Sequence, residues 1–79
     1  MGRKKIDSSE AGGAELLFKQ GAAAAGTGRM KQALAFYEKA IEVRPDFFKA
    51  WVNKGAVLLR LGCLEEALSS LDRALDLDP

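Results

Sequence analysis

The sequence predicts an all-α chain built as two tandem helix–turn–helix hairpins. Three observations carry this. The chain matches itself without a gap at an offset of 34 residues. Gly21 falls on Gly55, Ala22 on Ala56, Gly28 on Gly62, Ala33 on Ala67, Leu34 on Leu68, Ala40 on Ala74 and Pro45 on Pro79. Within each unit the large apolar residues recur at steps of three and four, the period of one helix face. Glycine stands at matched positions between the helices of each pair, where a turn needs a left-handed backbone.

The first helix is expected over Ala14–Ala25, with Gly21 small enough for a close neighbour. Gly28 makes the turn. The second carries Met30, Ala33, Leu34, Tyr37, Ala40 and Ile41 on one stripe, with Lys39 and Arg44 near its end, where the macrodipole favours cations. Pro45 stops it, and Asp46 is placed to cap the next helix by accepting free amide hydrogens. That third helix is expected over Phe47–Leu61, with Trp51, Gly55 and Leu58 on one side and Val52, Ala56 and Leu59 on the adjoining face. After Gly62, the fourth repeats the stripe with Leu64, Ala67, Leu68, Leu71, Ala74 and Leu75, and Glu65 and Glu66 open it at the positive end of its dipole. Short connections make each pair an antiparallel hairpin. Trp51, Leu58, Leu71 and Tyr37 are the expected large core residues. The units divide the chain into 14–47 and 48–79. Residues 1–13 carry no period and read as a flexible tail, in which Asp7 and Glu10 could form a capping box for a short turn.

Composition removes several classes of function. Of 79 residues, 48% are apolar and 29% charged, and 12 basic residues against 11 acidic leave a formal charge of +1. That balance gives no field for nucleic acid, and Arg3, Lys4 and Lys5 alone form a basic cluster. With no histidine and Cys63 as the single cysteine, neither a structural zinc site nor a Ser–His or Cys–His pair can be assembled. No metal and no cofactor is expected. Glu65 and Glu66 are neighbours on a helix and diverge, so they do not make a carboxylate pair. No apolar run reaches the roughly 20 residues that span a bilayer, and no apolar stretch follows MGRKKID as a secretory signal requires. A non-enzymatic cytoplasmic protein is expected.

GAAAAGTGRMK (21–31) has glycines at the spacing of a phosphate loop. Thr27 occupies the lysine position, however, and the helical AELLFKQ precedes it where such a loop needs a strand. Gly21 and Gly28 recur one period later, whereas Gly26 falls on Arg60. The recurring glycines are those a hairpin needs.

The second unit resembles the tetratricopeptide repeat pattern through Trp51, Lys54–Gly55, Leu58, Ala67, Leu71, Ala74 and Pro79. The first is similar through Leu17, Gln20–Gly21, Ala24, Ala33, Tyr37, Ala40 and Pro45. The resemblance implies a short right-handed α-solenoid whose leading helices line a concave groove for a peptide or partner protein. It places Phe18, Ala22, Val52 and Ala56 inside that groove, with Lys19, Lys49 and Asn53 near its edges. Some relatives grip a terminal carboxylate with Lys, Arg and Asn side chains. Lys49 and Asn53 match two of those positions, but Phe18 and Ala22 occupy the places of its first-repeat Lys and Asn. An apolar groove with a basic rim fits better, and Phe18 and Val52 suit plain packing equally well. With no capping helix after Pro79, Leu68, Leu75 and Leu77 are expected to be uncovered. Either a further repeat or a second copy would then dock there.

Overall fold

A computed structural model describes the backbone of residues 3–77 and the side chains of residues 12–77. The proposed Asp7–Glu10 capping box, the basic cluster at Arg3–Lys5 and the closing Pro79 lie outside the described side chains. Four helices run in order: α1 (Arg3–Gly26), α2 (Met30–Val43), α3 (Phe48–Leu61) and α4 (Leu64–Leu77), with no strand among the described residues. α1 packs along α2, α3 along α4, and α2 along α3, while α1 meets α3 over a short stretch. This is an all-helical stack of two hairpins.

The two hairpins close by the same bonds one period apart. Gly28 and Gly62 have φ of 82° and 83°. The Gly28 N–H donates to Ala25 O at 3.1 Å and the Gly62 N–H to Leu59 O at 3.0 Å; the next amides, of Arg29 and Cys63, reach Ala24 O at 2.8 Å and Leu58 O at 2.9 Å. Left-handed backbone costs an L-residue roughly 1–2 kcal/mol, so Gly62→Ala is expected to lose that much in urea unfolding. Gly26→Ala is the control. Gly26 is helical and a Cβ there meets nothing within 4 Å, so it should gain about 0.4–1 kcal/mol.

Close helix approach is also repeated. A Cβ on Gly21 would stand 2.7 Å from Tyr37 Cε1, and one on Gly55 2.7 Å from Leu71 Cδ2. A bare backbone on the leading helix is what lets a large side chain of its partner lie flat against it.

Two local expectations are corrected. α1 begins at Arg3 rather than Ala14, so its backbone takes in residues 3–13. Ala14 is instead the first described residue that is fully buried. Asp46 does not cap α3. Pro45 and Asp46 are the middle of a turn closed by the Phe47 N–H on Arg44 O at 3.0 Å, which moves the cap position to Phe47. Phe47 makes no side-chain cap bond; its ring is buried instead. Arg44 lies past the end of α2 in extended backbone, 3.6 Å from the Glu15 carboxylate and 4.0 Å over the Phe47 ring. Glu65 and Glu66 do sit in the first turn of α4.

Among the described residues the core includes two clusters, with Leu58, Ala67 and Ala74 also buried. One holds Ala14, Ala40, Phe47 and Ala50, the other Ala24, Ala33, Tyr37 and Val57, and Phe18 packs against both. Tyr37 and Leu58 are the largest fully buried side chains. Trp51, expected among them, is only half-buried. Its indole N–H donates to Pro45 O at 2.8 Å, which holds the ring against the interhairpin turn at the edge of the core.

Candidate functional site

Lys49, Val52, Asn53, Ala56 and Arg60 fall at i, i+3, i+4, i+7 and i+11 along α3, so they share one face. Ala50, Val57 and Leu61 lie on the side that packs against α2. The Lys49 face is therefore free of the main helix contacts of α3.

Two hollows open along it. The first, about 320 Å³, is lined by Phe18, Arg44, Phe47, Phe48 and Lys49 among others. The second, about 220 Å³, is lined by Ala25, Tyr37, Asn53, Ala56, Val57 and Arg60 with Met30. The structure thus groups Phe18 with Lys49 and Asn53 with Ala56. Val52 is half-buried and lines neither hollow. Lys19 and Ala22 are exposed on α1 and also line neither.

Phe18 has a second task. Its ring centroid lies 5.7 Å from that of Tyr37 and 5.1 Å from that of Phe47, both in tilted contacts that favour aromatic pairs. It packs against the core and, half-buried, also lines the hollow. Asn53 is held from below: its amide donates to Tyr37 Oη at 3.2 Å. Tyr37 replaces the leucine found one period later, and a buried hydroxyl needs a partner. That substitution was the sequence signal for a polar contact here, and reading it only as core missed it. Phe48 and Arg60 also line the hollows without having been singled out.

The first hollow balances Arg44 and Lys49 against Glu15 and Asp46, and the second holds Arg60 as its one charged residue. Lys19, Lys49 and Arg60 are exposed, while Glu15 is engaged by Arg44. A hollow on the opposite side of α3, about 290 Å³, contains Trp51, Lys54, Arg73, Glu38, Glu66 and Ser70 with Ser69. There the charges balance, and Lys54 is paired with Glu38 at 3.9 Å. Among the described residues no cluster of His, Cys, Asp or Glu could hold a metal. No described helix is long and apolar enough to cross a membrane.

Comparison with known proteins agrees with the helical-repeat fold. The profile of the tetratricopeptide repeat matches residues 18–79. An uncharacterized protein of Methanocaldococcus jannaschii is 39% identical over 62 residues, covering 78% of this chain and 72% of that protein. The peroxisomal targeting signal receptor of Kluyveromyces lactis is 34% identical over 64 residues. The Hsp70-Hsp90 organizing protein of Triticum aestivum is 38% identical over 64 residues. The chain spans 11% of the length of each of these last two proteins.

Proposed function

From the premise that the chain belongs to the tetratricopeptide repeat family, we propose that it is an adaptor which binds an acidic, apolar peptide along the Lys49–Arg60 face of α3. The observation that carries this is the pair of hollows on that face, which combine Phe18, Phe47, Phe48, Ala56 and Val57 with Lys49 and Arg60, beside Arg44, Glu15 and Asp46. Asn53, fixed by Tyr37, stands ready to bond an extended peptide backbone. Two relatives support the reading through their names: one is a targeting signal receptor, the other an Hsp70-Hsp90 organizing protein. Phe18 packs in the core and Ala22 offers no polar group, which favours an apolar groove over a carboxylate clamp. No catalysis is part of this function.

Selection from a displayed library of random peptides tests it. Selected peptides should combine apolar residues with Asp or Glu. Lys49→Glu changes an exposed residue and should leave the melting temperature unchanged, yet weaken binding about tenfold or more, the loss of a well-placed interface contact. Val52→Glu should do the same. Peptides that bind Lys49→Glu and Val52→Glu as tightly as the unaltered chain would remove the face from consideration.

A further inference from the structure

The two units differ at one position that changes their packing. Phe36 of α2 packs against a core cluster, and one period later Ser70 stands in its place on α4. Gln20 and Gln32, which line a hollow with Phe36, become Lys54 and Glu66, which line the hollow of about 290 Å³ with Ser70. The second unit therefore lacks a phenyl ring where the first has one. Trp51, which stands where the first unit has Leu17, walls the space that is left.

Ser70 is 3% exposed, and among the described residues its hydroxyl bonds to no protein group. No sealed side-chain N or O lacks a partner, so this hydroxyl keeps its access through the hollow that it lines. A buried hydroxyl without a protein partner favours a ligand that brings a hydrogen-bonding group. The hollow lies between helices already in place. Glu66, Ser69, Ser70 and Arg73 are on the side of α4 opposite Leu64, Leu68 and Leu75, the leucines left exposed. Leu77, expected with them, is half-buried. A hairpin stacked on those leucines would leave the hollow open.

The rim selects the occupant. Lys54 Nζ and Arg73 Cζ lie 5.2 and 5.8 Å from the centre of the Trp51 ring, and cations so placed also attract the face of a second ring. Glu38 and Glu66 balance them, so a ligand of either charge meets its like at the rim. An aliphatic side chain gains nothing from the cations or from the Ser70 hydroxyl. A neutral, phenyl-sized ring that carries a hydroxyl meets every requirement, and tyrosine is the side chain of that kind. The chain's one tyrosine, Tyr37, is itself buried, so a second copy does not supply it. We propose that the hollow between α2, α3 and α4 holds a tyrosine side chain of a partner protein, with its ring beside Trp51 and its hydroxyl bonded to Ser70.

The test titrates the full chain with N-acetyl-tyrosinamide, N-acetyl-phenylalaninamide and N-acetyl-leucinamide. Amide shifts are followed by NMR, together with the emission of Trp51, the only tryptophan, excited where tyrosine does not absorb. The tyrosine probe is expected to bind with a Kd on the order of 1–5 mM, with shifts centred on Trp51, Ser70 and Arg73. The phenylalanine probe should bind about threefold to tenfold more weakly, the scale of one hydrogen bond, and the leucine probe more weakly still. Ser70→Ala should remove the preference for tyrosine over phenylalanine. Ser70→Phe, which restores the ring of the first unit, should remain folded by circular dichroism and lose both aromatic probes; if it does not fold, Ser70→Ala decides. Lys49→Glu should change nothing, which separates this hollow from the peptide face of α3. The proposal is overturned by no binding below about 20 mM, by equal affinity for the three probes, by a tyrosine preference that survives Ser70→Ala, or by shifts centred on the Lys49–Arg60 face.

Discussion

Tyr37→Ala is expected to cost about 3–5 kcal/mol in urea unfolding, the usual range for truncating a buried aromatic. A chain of this size holds roughly 4–12 kcal/mol in total, so the variant should be largely unfolded at physiological temperature. Tyr37 is 1% exposed. Its ring edge lies so close to the Gly21 backbone that no Cβ would fit between them, and it also meets the Phe18 ring. Truncation leaves a void that the glycine cannot fill and that Phe18 cannot reach without leaving Phe47. Tyr37→Phe isolates the polar part. It keeps the packing and removes the acceptor for the Asn53 amide, and should cost about 1 kcal/mol, the net worth of one ordinary hydrogen bond. Asn53 is half-buried and can turn to water, which keeps that loss small.

Phe18→Glu is expected to be as damaging, by a different route. Phe18 is the side chain common to both core clusters, so a carboxylate there is forced between the Tyr37 and Phe47 rings. Of the two cations that share its hollow, Arg44 already faces Glu15 and stacks on Phe47, and Lys49 is exposed to water. An unpaired charge in such surroundings costs about 3–5 kcal/mol after relaxation. Loss of peptide binding by Phe18→Glu would therefore report unfolding, and a thermal melt beside the binding assay makes this visible. Phe18→Leu keeps an apolar group in place and should retain the fold with a loss of about 1.5 kcal/mol or less.

Much of the fold was legible because repetition turns weak signals into paired ones. Gly21 and Gly55 meet Tyr37 and Leu71 in the same register, and Gly28 and Gly62 adopt the same φ. What was hidden lay where the two units differ or where a turn outranked a local preference. Asp46 has the chemistry of a cap, but Pro45 with its fixed φ starts a turn that consumes Asp46 and hands the cap position to Phe47. Trp51 is the largest side chain, yet its N–H must find an acceptor, and Pro45 O supplies one only at the edge of the core. Nothing in the spacing forecast that the α1 backbone would run ahead of Ala14. The candidate site was legible as a face, because Lys49, Asn53 and Ala56 share a helical side. Which of its residues pack and which remain free depended on tertiary contacts, and Phe18 is the clearest instance.

The central claim is that this chain takes a peptide along α3. Amide shift mapping of the full chain with a library-selected acidic, apolar peptide tests it most directly. The account predicts perturbations at Lys49, Val52, Asn53, Ala56 and Arg60, and quiet amides at Leu64, Leu68 and Leu75. Perturbations centred on Trp51 and Arg73, or on α4, with the Lys49–Arg60 face unmoved, would contradict it.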